Sequence, residues 1–101
     1  MAHLLLAQTN DHILLNSYHR FGRAEGEVDT QLLGVEISRH HAVIVWTGEQ
    51  WTLRDTSKNG VFVNQSRIVS KTDWVLSIGD VISFSELHPH SFIVSSLTPP
   101  E

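Results

Sequence analysis

The chain has 101 residues, 41% of them hydrophobic and 18% charged, with a formal net charge of −4; this is one domain of an ordinary soluble globule rather than a disordered tail or a coiled coil. No apolar run approaches the ~20 residues of a bilayer span, and residues 3–7 are too short and lack the basic start of a signal peptide, so a cytosolic location is expected. Zero cysteines exclude disulfides, thiolate metal sites and thiol nucleophiles, and the acidic balance disfavours nucleic acid and anionic membranes as partners.

In chain order, short runs with a period near two are predicted as strands: His3 to Gln8, His12 to Leu15, Tyr18 to Arg23, His41 to Thr47, Trp51 to Asp55, Val61 to Asn64, Trp74 to Ser77, Asp80 to Phe84 and Ser91 to Ser96. Ala42, Ile44 and Trp46 share one face of the fourth run. Turn residues separate these runs at Asn10-Asp11, Thr47-Gly48-Glu49, Lys58-Asn59-Gly60, Asn64-Gln65-Ser66 and Ile78-Gly79-Asp80. Asn59-Gly60, lying between two strand-like runs, is predicted as a tight hairpin turn. No stretch sustains a helical apolar stripe, so the fold class is all-β, a sandwich or small barrel that carries its chemistry on loops at one end. Residues 1–96 are expected to form the domain, and residues 97–101, with Pro99-Pro100, to begin a linker.

All seven cations fall between Arg20 and Lys71, which places a basic spot on an acidic body. Arg23 follows a strand end at Gly22. Ser38, Arg39 and His40-His41 immediately precede the most apolar strand. Ser57, Lys58 and Asn59 share one turn with Gly60, and Asn64 lies just past the next strand. A serine beside histidines raises nucleophilic catalysis, but no Gly-rich oxyanion turn flanks Ser38, and no enzymatic activity is expected. His40-His41 and His88-Pro89-His90 lack the ligand set of a zinc site, so no metal and no cofactor is expected; His88 and His90 are predicted to decorate a loop tip. Arg23, Ser38, Arg39, Lys58, Asn59 and Asn64 are instead all donors, nearly all on predicted loops, and a phosphate dianion has acceptor oxygens only, so this inventory suits it. The loops lie about 15 and 20 residues apart, a spacing compatible with successive loops at one end of a sandwich.

Gly22-Arg23, Ser38-Arg39-His40-His41, Ser57-Lys58-Asn59-Gly60 with Val61-Phe62-Val63-Asn64, and Leu76 to Phe84 together resemble the forkhead-associated (FHA) domain in order and spacing, over roughly residues 4–94. The resemblance implies an eleven-stranded antiparallel β-sandwich that binds phosphothreonine peptides through loops at one apex, as a monomeric signalling module. It implies that Arg23 and Ser38 hold phosphate, that Arg39 assists, and that Asn59 grips the peptide main chain. Gly22, His41, Gly60 and Asn64 would support the loops, and Gly79-Asp80 would be architectural. Three departures bear on loop shape: Lys58 replaces a hydroxyl residue, Val61 a threonine, and Gln65 a glycine. Glu36 stands where a basic selector sometimes occurs, so an acidic ligand residue is expected to be disfavoured there. The alternatives are a phosphate-independent interaction module that binds through a sheet face, and an N-terminal regulatory domain of a larger signalling or secretion-system protein.

Overall fold

The computed structural model describes residues 2–85 and 91–100; the expected loop-tip histidines 88 and 90 lie outside the described residues. Eleven strands follow one another: β1 (His3–Leu6), β2 (His12–Leu14), β3 (Tyr18–Gly22), β4 (Thr30–Gln31), β5 (Ala42–Trp46), β6 (Trp51–Asp55), β7 (Phe62–Val63), β8 (Ser66–Arg67), β9 (Asp73–Val75), β10 (Val81–Ser83) and β11 (Ser91–Ser96). They form a six-stranded sheet in the order β2-β1-β11-β10-β7-β8 and a five-stranded sheet in the order β4-β3-β5-β6-β9. Pairing is antiparallel throughout except between β3 and β4, which run parallel over Phe21–Thr30 and Gly22–Gln31. The all-β sandwich expected from the sequence is therefore present, with one short parallel pair at its edge.

The apolar alternation explains which residues close the sandwich. In β3, His19 and Phe21 turn inward while Tyr18 and Arg20 face out. Phe21, Ile44, Trp51 and Leu53 of one sheet meet Leu4, Ile82, Phe84, Phe92 and Val94 on the other side, all buried. Phe21 stacks on Phe84 at 4.9 Å between ring centroids, and Phe92 meets Phe84 edge-on at 5.3 Å. Each such side chain contributes about 1.5–3 kcal/mol by leaving water, so the two sheets cannot separate cheaply. Beyond β11, Leu97 packs against this core, and the Trp51 indole N–H donates to the Thr98 carbonyl at 3.1 Å.

His19 pins β3 to β4 from the inside. Its Nδ1 accepts from the Asn16 N–H at 3.0 Å, which leaves the proton on Nε2, 2.7 Å from Thr30 Oγ1. Burial holds its pKa below the ordinary imidazole value, against a smaller opposing pull from Asp29, and the nearby Arg20 charge adds a still smaller push downward. Asp29 is in turn held below the usual carboxylate range, chiefly because it accepts the Arg20 backbone N–H at 2.8 Å.

One turn differs from the sequence expectation. Asn59-Gly60 is not a hairpin turn, because β6 and β7 belong to different sheets and residues 56–61 cross between them. The two-residue hairpin lies instead at Asn64-Gln65, where Val63 pairs with Ser66 across the turn. Both turn residues have positive φ, 52° and 73°, the pattern of a type I′ turn. Gly60 still needs its glycine, since its φ is +97° and an added Cβ would fall 2.6 Å from Arg67 Nε.

Candidate functional site

The site begins where β3 ends. The Arg23 N–H donates to the Ser38 carbonyl at 3.0 Å, the Ala24 N–H to the Arg39 carbonyl at 3.2 Å, and the His41 N–H to the Phe21 carbonyl at 2.8 Å. These bonds press residues 38–41 onto the end of β3. A Cβ on Gly22 would sit 2.1 Å from the Arg39 carbonyl oxygen, so this glycine is required by close approach and not by a positive φ. Arg23 and Ser38, 15 residues apart in the chain, are thereby set side by side.

His41 couples this pair of segments to the third. Fully buried, it accepts the Ser38 N–H on Nδ1 at 3.0 Å, so its proton lies on Nε2, which donates to the Gly60 carbonyl at 3.0 Å. Both ring nitrogens thus meet backbone groups. The Ser38 hydroxyl oxygen accepts the Lys58 N–H at 3.1 Å, and a hydroxyl that accepts in this way keeps its own proton to donate. One Asn59 amide N–H donates to the Glu36 carbonyl at 2.7 Å; its second N–H and its oxygen stay open among the described residues.

A small polar knot shapes the 55–60 segment. Asp55 Oδ1 accepts both the Ser57 N–H at 2.8 Å and the Ser57 hydroxyl at 2.5 Å, and that hydroxyl accepts the Gly60 N–H at 2.8 Å. The Asp-x-Ser spacing signals such a turn in the sequence. Asp55 is fully buried, and its Oδ2 has no hydrogen-bond partner among the described residues.

Arg23, Ser38, Arg39, Lys58 and Asn59 line one open cavity of about 340 Å³, together with Val35 and Ile37. The two apolar residues are an addition to the sequence reading. Val35 is 95% exposed, and Ile37 is buried. Among the described residues, Arg23 and Lys58 make no ion pair, whereas Arg39 pairs with Glu27 at 2.8 Å. Glu36 is not a lining residue: its carboxylate folds back over Gly34. Nor does Asn64 reach the cavity. At the other end of β7 its Nδ2 donates to Asp80 Oδ1 at 3.1 Å, and its Oδ1 accepts the Val81 N–H at 3.0 Å, so it braces a different pair of loops.

A family model of the FHA domain matches residues 19–85. The chain belongs to the FHA domain family. The transcriptional regulatory protein EmbR of Mycobacterium tuberculosis is 40% identical over 80 residues, which cover 78% of this chain and 20% of that protein. The FHA chain thus spans about a fifth of the length of the curated relatives it matches. Among solved structures, Mycobacterium tuberculosis EmbR in complex with a low-affinity phosphopeptide has a TM-score of 0.82 and 32% identity, covering 99% of this chain and 25% of that one. A structure from work on phosphothreonine-dependent FHA domain interactions has a TM-score of 0.76 and 28% identity, with 98% of each chain covered.

Proposed function

We propose that this FHA domain is a reader of phosphothreonine in protein partners, forming no covalent bond to its ligand. The observation that carries the reading is the convergence of Arg23, Ser38, Lys58 and Asn59 on a single cavity. The phosphate dianion accepts from the Arg23 guanidinium and the Ser38 hydroxyl, with Lys58 as a point charge and Arg39 at the rim. The unengaged half of the Asn59 amide takes the peptide main chain. Because His41, Gly22 and Asn59 already fix the loops, little order remains to be imposed when the ligand arrives. Val35 and Ile37 offer a wall to the threonine methyl, and burying one methyl group favours phosphothreonine over phosphoserine by about fourfold.

The same reading takes residues 1–96 as the recognition domain and 97–101 as the start of a linker, of which Leu97 and Thr98 still rest on the sandwich. It assigns a cytoplasmic regulatory role within a longer signalling protein. Calorimetry with a phosphothreonine peptide tests the function. The native domain binds the phosphorylated peptide and not its unmodified counterpart, and Arg23→Ala weakens binding by about 10- to 100-fold, the loss of a charge-assisted hydrogen bond. Unchanged affinity in a folded Arg23→Ala domain contradicts the reading. Affinity also declines below pH ~6 as the phosphoryl group takes its second proton.

A second reading, phosphate-independent docking through a sheet face, is favoured by one feature. Tyr18, Val43, Val45 and Thr52 surround a shallow depression of about 210 Å³ on the outer face of the five-stranded sheet. Equal affinity for phosphorylated and unphosphorylated partner selects this alternative.

A further inference from the structure

Of the three cations around the cavity, only Arg39 already has an acidic partner among the described residues. Glu27, on the connection between β3 and β4, places Oε2 2.8 Å from Arg39 Nη2 and Oε1 3.2 Å from His40 Nε2. All three side chains are more than half exposed, so the clasp is held weakly and opens readily. It has two effects on an incoming anion. It occupies donors that would otherwise face the ligand, and it leaves a negative charge at the mouth of a cavity built for a dianion. The Arg39 backbone does not depend on the carboxylate, because its carbonyl is tied to the Ala24 N–H at 3.2 Å.

We propose that Glu27 is a built-in competitor for the phosphate: it holds Arg39 while the cavity is empty, yields the guanidinium when phosphate binds, and sets the affinity below what the donor set would otherwise give. This rests on the phosphate-reading function proposed above. A carboxylate that merely oriented Arg39 toward the ligand would act with the opposite sign.

Calorimetric titration of a phosphothreonine peptide into the native domain, Glu27→Gln, Arg39→Ala and the double variant separates these cases, with circular dichroism as the check on folding. Glu27→Gln keeps the shape and removes the charge. The expected result is about threefold to tenfold tighter binding at low salt, a gain that shrinks as salt rises and largely disappears in the Arg39→Ala background. Equal or weaker binding by Glu27→Gln overturns the proposal, as does a gain that persists in full without Arg39. Either result leaves the phosphate-reading function standing if native binding still depends on Arg23. A native domain that binds neither the phosphopeptide nor inorganic phosphate overturns both.

Discussion

The two ends of β7 are braced by the same kind of chemistry and differ in what is left over. At the far end Asn64 and Asp80 close on themselves: the Asn64 amide serves Asp80 and Val81, while Asp80 Oδ2 accepts the Ser77 N–H at 2.9 Å. At the near end His41, Ser57 and Asn59 fix the backbone just as firmly. There, however, Arg23, Lys58, the Ser38 proton and half of the Asn59 amide remain directed at solvent. The proposed binding end is thus distinguished from the structural one by surplus donors on loops whose backbone bonds are already satisfied.

Replacing His41 breaks the near brace most severely. His41→Ala strands the Ser38 N–H and the Gly60 carbonyl and opens a cavity, at a cost of about 2–4 kcal/mol. Chemical denaturation measures that loss, and titration measures the collapse of phosphopeptide affinity expected with it. Asn64→Ala sharpens the comparison from the other side. It removes two hydrogen bonds and places a Cβ-branched-free but non-glycine residue at φ 52°, lowering stability by about 1–2 kcal/mol while leaving phosphopeptide affinity unchanged. A large affinity loss in folded Asn64→Ala would mean that the two ends are not independent.

Acid acts through the scaffold. Because the folded state holds the His19 pKa below its unfolded value of 6.5, the unfolded chain binds the extra proton first. Stability is therefore fully present above that value and falls as pH drops through it, by at most about 1.4 kcal/mol per pH unit from this group. Denaturation midpoints between pH 7.5 and 5.5 should decline in the native domain and decline less steeply in His19→Gln. The smallest effect is a gain. Gln65 occupies φ 73° in a turn that favours Asn-Gly, so Gln65→Gly raises stability by about 1 kcal/mol with no change in ligand affinity.

The strands at Trp51–Asp55 and Ser91–Ser96 are legible residue for residue, because each is an uninterrupted run rich in apolar, aromatic and β-branched side chains. Thr30–Gln31 and Ser66–Arg67 are not: each is a two-residue edge pairing of polar side chains, formed because a neighbouring strand offers partners. The Asn59-Gly60 pair misleads because local turn chemistry cannot say whether the next strand joins the same sheet. Around the cavity, Arg23, Ser38, Lys58 and Asn59 stand out as donors on loops. Their convergence depends on the missing Cβ of Gly22 and the two bonds of His41, which are tertiary facts. The Arg39–Glu27 clasp and the exposed Val35 carry no comparable pattern, since nothing in residue spacing marks which acid will face which base.

Three chain-distant loops that form one anion-binding cup must respond to a ligand as a unit. Amide chemical-shift mapping during titration with a phosphothreonine peptide tests it most directly. The largest shifts are expected at Arg23, Ser38, Arg39 and residues 58–60, saturating together, with Asn64 and Asp80 unmoved. Shifts centred on Tyr18, Val45 and Thr52 of the outer sheet face, with Arg23 and Ser38 silent, would contradict it.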